Sequence, residues 1–194
     1  MMRLLALCLL GICINVRADV FVRDDINVDP EPGRFTVCHD NGCTSLSHLG
    51  LTGEQWSAIR RLFEPPPRNA ETERERLRIA IATMEKFVGE AIGTWQDKGG
   101  TFNGGGGQMD CIDESINTTL YLKMFRKHGL MRHHSVEDRA TRGWFLFGWP
   151  HTSAVVSEDG NGKLWAVDSW FLDNGESPFV LPLETWESGW KPIR

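Results

Sequence analysis

Three residue types that together carry out nucleophilic catalysis occur in this sequence as Cys111, His151 and Asp168. Cys111 opens a segment that is predicted to be helical as far as about Lys127. The helix dipole and the free N–H groups at a helix N-terminus favour an anion, so we expect this position to lower the pKa of the thiol toward neutrality. A thiolate at this place would serve covalent catalysis, and a buried, inert cysteine is the alternative.

His151 and Asp168 lie on two predicted strands, which are joined by a turn-forming segment, residues 158–163. A two-residue turn at Asp159 and Gly160 places His151 directly opposite Asp168. A loop of all four residues 159–162 places Asp168 opposite Ser153, and a turn at residues 161–162 also keeps both side chains on one face, whereas three- or five-residue loops separate them. The simplest pairings therefore put imidazole and carboxylate on the same side of a sheet. With Cys111 nearby they would form a catalytic triad.

The segment Asp110-Cys111-Ile112-Asp113, followed by His151 and then Asp168, resembles the bacterial transglutaminase-like cysteine peptidases of the papain-like superfamily. The resemblance covers about residues 70–185 and rests on the order of these residues, their spacing and their predicted elements. It implies a thiol hydrolase in which Cys111 attacks an amide carbonyl, His151 transfers the proton and Asp168 holds the imidazole tautomer. The Cys111 backbone N–H is the expected oxyanion donor, and Gln108 is a candidate second donor.

The resemblance also bears on a metal ion, because periplasmic members of this family that bind calcium use acids around the same motif. Asp110, Asp113 and Glu114 are the candidate calcium ligands here, although Ile112 stands where an acid is common. Glu114 is equally well placed to stabilise the helix N-terminus. The implied chemistry itself requires no cofactor.

A protein or peptide is the expected substrate, and Trp149 and Trp170 are candidates for lining its groove, with core packing as the alternative. The 26 acidic and 21 basic residues give a net charge of −5, so no sequence-independent binding to nucleic acid is expected. Two other functions stay open. One is acyl transfer by the same triad, as in transglutaminases, and the other is a non-catalytic binding or assembly module of the same fold.

Residues 1–18 have the layout of a secretory signal peptide, with Arg3, an apolar run and Ala18 before the expected cleavage site. The apolar run of about 13 residues is shorter than the ~20 of a membrane span, so we expect no stable span after cleavage, and a retained anchor is the alternative. Export places the protein in the periplasm or outside the cell. In that oxidising compartment Cys38 and Cys43, on either side of a turn, are expected to form a disulfide. Cys111 would then be the free thiol of the mature chain.

The elements that must position these residues predict an α+β fold of papain/transglutaminase-like type, in which N-terminal helices and a nucleophile-bearing helix pack on an antiparallel β-sheet. The expected domain spans residues 51–194, and residues 19–50 are expected to be an irregular arm with a short strand at 34–38. Helices are predicted from Thr52, which begins a capping box, and from Ala70 to Trp95 after the cap Asn69. The apolar stripe of the second helix is expected to reach Trp95. Residues 132–142 are expected to be a basic surface loop, and the predicted strands are 144–149, 151–157, 164–170 and 178–181.

Overall fold

The computed structural model describes residues 23–101, 106–143 and 150–193, which form an α+β arrangement of helices and two antiparallel sheets. The expected signal peptide and the predicted strand 144–149 lie outside these residues. The helices are α1 (Gly53–Arg61), α2 (Ala70–Ile92), α3 (Cys111–Lys127) and α4 (Leu183–Glu187), with a short 3-10 turn at Thr94–Gln96. The strands are β1 (Phe35–His39), β2 (Ser45–Leu49), β3 (His134–Arg142), β4 (His151–Glu158), β5 (Leu164–Asp168) and β6 (Phe179–Pro182). No helix in the described part of the chain is both long and apolar enough to cross a membrane.

The N-terminal arm is more ordered than the sequence indicated, because β1 and β2 pair as an antiparallel hairpin. Phe35 and Val37 of β1 are buried in the main core, so the arm packs as part of the same structure as the helices. The expected disulfide between Cys38 and Cys43 is confirmed. The strands are short and their connection has an uncommon left-handed backbone, which explains why periodicity alone did not reveal the second strand.

The first two helices begin where their caps predict. The Thr52 side chain accepts the N–H of Gln55 in a capping box before α1, and Asn69 accepts the N–H of Thr72 at the start of α2. The second helix ends earlier than expected, because Gly93 adopts the left-handed conformation (φ 85°) that commonly terminates helices. Trp95 therefore falls outside the apolar stripe and is 61% exposed, which corrects its assignment to the core.

The larger sheet has the strand order β3-β4-β5-β6. Its edge strand β3 occupies the segment that was expected to be a basic surface loop, so that expectation is wrong. The segment lacks a clean alternation of apolar and polar residues. His134, the first residue of β3, is buried, and its Nδ1 forms a hydrogen bond with Glu73 of α2 (2.9 Å). An edge strand tolerates such polar residues because its other side is unpaired.

The hairpin of β4 and β5 has the register of the four-residue loop. Ala154 lies opposite Val167 and Ser157 opposite Leu164, and the N–H of Glu158 donates to the Lys163 carbonyl across the loop. Continuing this register places Asp168 opposite Ser153, so the expectation that His151 and Asp168 share one face is confirmed.

The two faces of this sheet pack against different layers. Ala154, Val156 and Val167 join the main core with α2 and α3, whereas Val155 and Ala166 pack against α4 on the other face. Since side chains alternate along a strand, His151 and Asp168 belong to the face covered by α4. This short helix was not predicted from the sequence, and it brings Trp186 over the second face.

Candidate active site

Cys111 is the first residue of α3, where local hydrogen bonds define the helix start. Asp110 is the N-cap, and its Oδ1 accepts the N–H groups of Ile112 (3.0 Å) and Asp113 (3.1 Å). Asp113 returns the interaction by accepting the Asp110 N–H at 3.1 Å, which completes a capping box. The acids that flank the cysteine therefore place its side chain at the beginning of the helix.

The disulfide loop, residues 38–43, also binds the start of α3. The N–H of Gly42 donates to Asp110 Oδ2 (2.9 Å) and the N–H of Cys43 donates to Asp113 Oδ1 (2.7 Å). One turn further along α3, the Asn117 amide bonds both the N–H and the carbonyl of Cys38, each at 2.8 Å. The loop and α3 thus form one hydrogen-bonded unit.

The sulfur of Cys111 lies at the start of β4. It is 4.0 Å from the carbonyl oxygen of Pro150, and the backbone of Thr152 lies on the same side and favours the thiolate form. Pro150 precedes His151 in the chain, so the structure brings Cys111 to the end of β4 at which His151 lies. Cys111 is only 5% exposed.

Burial raises the pKa of the Cys111 thiol to about 12, which corrects the expectation that the helix N-terminus would lower it. The Thr152 N–H favours the thiolate, but it does not compensate for the loss of hydration, and the charges of Asp110 and Asp168 disfavour the thiolate further. The resting thiol is therefore protonated at neutral pH, and a nucleophilic sulfur needs a base in the site.

His151 and Asp168 are joined by a hydrogen bond of 2.6 Å between Nε2 and Oδ2. Asp168 is buried and acts as an acceptor, which places the imidazole hydrogen on Nε2 and leaves the lone pair of the neutral ring on Nδ1. Nδ1 is buried and has no hydrogen-bond partner among the described residues. Nδ1 is therefore the ring atom that is left to act as a base.

Aromatic rings surround His151. Trp170 and Phe171 lie with their ring centroids 4.8 and 5.0 Å from the imidazole, and Trp186 lies at 5.4 Å. Trp170, one of the two groove candidates, therefore does contact the site, although it is mostly buried. The other, Trp149, lies outside the described residues. Trp186 was missed by the sequence reasoning, because a single tryptophan near the C-terminal end of the chain carries no local signal of such a role.

The Gln108 side chain, the candidate second oxyanion donor, is hydrogen-bonded to the backbone of an earlier segment. Its Nε2 donates to the Gln96 carbonyl (3.1 Å), and its Oε1 accepts the N–H of Lys98 (3.2 Å). The side chain thus ties the segment before the cysteine to residues 96–101, and its amide is used there. The Cys111 N–H, at the helix start, stays the candidate oxyanion donor, and it also favours the thiolate of its own side chain.

The acids around Cys111 do not fit a calcium ion. Both oxygens of Asp110 and both oxygens of Asp113 already accept backbone N–H groups, whose positive ends point to where a cation would bind. Glu114, the third candidate, is a buried residue of the first turn of α3, and the charges of neighbouring acids act on it. Calcium prefers six to eight oxygen ligands, and these residues do not offer an open set.

Buried carboxyl groups lie in the first turn of α3 and close to it. Burial raises the pKa of Glu85 to about 8, of Asp113 to about 7 and of Asp97 to about 6. Burial, followed by the charge of Glu85, raises the pKa of Glu114 well above its usual range. These groups cannot all be ionised together at neutral pH, so part of the cluster holds protons.

The geometry thus combines a protonated thiol at a helix start, an imidazole whose Nε2 is held by a carboxylate, and an Nδ1 that has no hydrogen-bond partner in the described ranges. Such a set can take a proton from sulfur and return it to a leaving group. No family model matches the sequence, and no curated protein and no solved structure matches it.

Proposed function

We propose that this protein is an exported thiol hydrolase that cleaves peptide or amide bonds through Cys111, His151 and Asp168. The observation that carries the proposal is the orientation of the imidazole. Asp168 holds Nε2, the Cys111 sulfur contacts the carbonyl of Pro150 next to His151, and Nδ1 has no hydrogen-bond partner among the described residues. A histidine that served packing alone would have no reason to keep a buried nitrogen unbonded, because an unsatisfied polar atom costs stability.

In the reaction, His151 Nδ1 takes the proton of the Cys111 thiol while the sulfur attacks the carbonyl carbon of the substrate. The tetrahedral oxyanion accepts the Cys111 N–H, and Asp168 stabilises the imidazolium. The imidazolium then gives its proton to the leaving amine as the C–N bond breaks, which leaves a thioester on Cys111. Water attacks the thioester with His151 as base, releasing the acid and restoring the thiol.

The resemblance to the transglutaminase-like cysteine peptidases supports the same assignment. In that family a helix carries the nucleophile, and two later strands carry the histidine and the aspartate. The corresponding elements here are α3, β4 and β5. The papain-like fold is part of this proposal, as is export, with which the Cys38–Cys43 disulfide is compatible.

A non-catalytic binding or assembly module of the same fold is the second candidate, because the sulfur is 5% exposed and its pKa is raised to about 12. Acyl transfer is a variant of the leading proposal, in which an amine replaces water in the last step.

Acylation by an activated ester separates these functions without knowledge of the natural substrate. The full chain is mixed with p-nitrophenyl acetate, and we expect a burst of p-nitrophenol equal to the enzyme and one acetyl group on the Cys111 peptide by mass spectrometry. Cys111→Ala should abolish the burst and His151→Asn should reduce it at least a hundredfold, whereas His48→Asn, at an exposed histidine of β2, should not change it.

An equal burst from Cys111→Ala, or acylation that does not depend on His151, would refute the hydrolase and leave the binding module. If the burst occurs, adding an amine such as glycinamide separates hydrolysis from acyl transfer. The released product is then acetate in the first case and the acetylated amine in the second.

A further inference from the structure

Asp168 accepts two hydrogen bonds on a single oxygen. Its Oδ2 lies 2.6 Å from His151 Nε2 and 2.7 Å from the indole Nε1 of Trp186. Asp168 and Trp186 are both buried, so water does not compete for these bonds. Hydrogen bonds to a buried charged group are among the strong ones, and two donors on one oxygen restrict the rotation of the carboxylate.

Trp186 is itself held by Arg142, the residue that pairs with His151 across β3 and β4. The Arg142 guanidinium carbon lies 4.3 Å from the centroid of the Trp186 ring. Its Nη1 donates to the Trp186 carbonyl and its Nη2 to the Trp190 carbonyl, the latter at 2.7 Å. Arg142 therefore anchors the end of α4 to the sheet, and a cation over an indole ring makes its N–H a better donor.

The strands β3 and β4 thus supply both His151 and, directly opposite it, Arg142. Arg142 anchors Trp186, and Trp186 contacts Asp168. We propose that Trp186 is a positioning residue of the triad, which fixes the Asp168 carboxylate toward His151 Nε2 and draws charge from the oxygen that holds the imidazole. This inference rests on the proposed thiol chemistry of the site and assigns a function to α4 within it.

The effect has a defined sign. The indole N–H draws charge from Asp168 Oδ2, so the imidazolium of His151 is stabilised less than it would be by an unbonded carboxylate. The other charged or titratable groups that act on Asp168 are Cys111 and Glu114 of α3 and Arg142 of β3. None of these donates to Oδ2 among the hydrogen bonds of the described residues, so the Trp186 N–H can be removed separately from them.

Trp186→Phe removes the N–H and keeps an aromatic ring, and Trp165→Phe is the matched control. Trp165 lies on β5 with Asp168, and its buried Nε1 has no acceptor in the described part of the chain. The rate of Cys111 acylation by p-nitrophenyl acetate is measured against pH for the full-length chain. For Trp186→Phe we expect the midpoint to move up by about half a unit to one unit and the plateau rate to fall about tenfold, with no shift for Trp165→Phe.

A Trp186→Phe protein with a lower melting temperature but an unchanged midpoint and plateau would overturn the inference, since that is the result of a purely structural role. If this variant does not fold, NMR of the wild-type protein tests the same contact. The Trp186 indole N–H signal, assigned against the Trp165→Phe spectrum and by its proximity to the His151 ring, should titrate with the His151 midpoint. An indole signal that stays constant through that titration would also overturn it.

The NMR titration needs no turnover, so it separates the two proposals. If the wild-type protein shows no acylation of Cys111 while the Trp186 signal follows His151, the proposed function fails and the contact between Trp186 and the Asp168–His151 pair stands.

Discussion

The backbone N–H of Cys43 lies 2.7 Å from Asp113 Oδ1, which joins the disulfide loop to the third residue of α3 across 70 positions of the chain. Gly42 makes the matching contact with the cap residue Asp110. Residues 40–43 all have positive φ, between 55° and 66°, a conformation that turns consecutive N–H groups toward one side. Such a turn is a binding site for anionic groups, and here the two capping carboxylates occupy it.

Removing the disulfide should therefore affect both stability and chemistry. For a loop of this length, the double variant Cys38→Ser and Cys43→Ser is expected to lose about 2 kcal/mol, or roughly 4–8 °C in melting temperature. Because the loop holds the cap of α3, the rate of Cys111 acylation should also fall several-fold. Thermal melting and the p-nitrophenol burst measure the two effects. A lower melting temperature with an unchanged acylation rate would show that the loop does not position the helix start.

Asp168→Asn should lower the acylation rate of Cys111 by about a hundredfold to ten-thousandfold. The variant loses the carboxylate that stabilises the imidazolium. The Asn amide that replaces it can present an N–H to His151 Nε2 and so hold the wrong imidazole tautomer. Burst kinetics at pH 7 measure the loss. Asp159→Asn, in the turn at the far end of the same hairpin, is the control and should retain the wild-type rate. Comparable losses in both variants would indicate a general effect on the hairpin.

Stability should fall as the pH rises from about 5 to 8. The pKa of Glu85 is raised from 4.5 to about 8 in the folded protein, so in this window the folded state binds a proton that the unfolded state has released, and each rise in pH favours unfolding. Glu85→Gln should weaken this dependence and raise the stability at pH 8 by about 3 kcal/mol relative to pH 5, while Asp113 and Asp97 continue to contribute in the same direction. Thermal melting across this range is the measurement.

Glu90→Gln is the matched control for this prediction, since Glu90 is an exposed acid of the same helix. Its melting curve should keep the wild-type pH dependence. If Glu85→Gln also keeps it, the protons of the buried cluster reside on the neighbouring acids instead.

Calcium should have no effect on this protein. The oxygens of Asp110 and Asp113 are committed to backbone N–H groups, so adding a calcium chelator should change neither the melting temperature nor the burst. The converse measurement adds calcium, and magnesium serves as the control for non-specific effects of a divalent ion. A rise in melting temperature that is specific to calcium would mean that these carboxylates exchange their N–H partners for the ion.

Local sequence signals predicted much of the framework. The capping box at Thr52, the cap at Asn69 and the start of α3 at Cys111 each depend on residues within one helical turn. The hairpin between His151 and Asp168 was limited to a few registers by its turn residues, and the observed register was among them. The disulfide also follows from short spacing in the sequence.

Other features depended on contacts that no local pattern records. The segment 132–142 became a strand because β4 was available to pair with it. The N-terminal arm became a hairpin because Phe35 and Val37 could be buried in the main core. Gln108 was the right kind of residue for an oxyanion donor, but its amide bonds to residues 96 and 98 of the preceding segment.

The sequence by itself determined which groups could react and where along their elements they stand, because caps and turns act over a few residues. The tertiary structure decided the state of those groups. Burial raises the pKa of Cys111 against the effect of the helix start, and Trp186 reaches Asp168 from another element. Desolvation and hydrogen bonding between distant segments depend on which surfaces meet, and that is settled only when the chain packs.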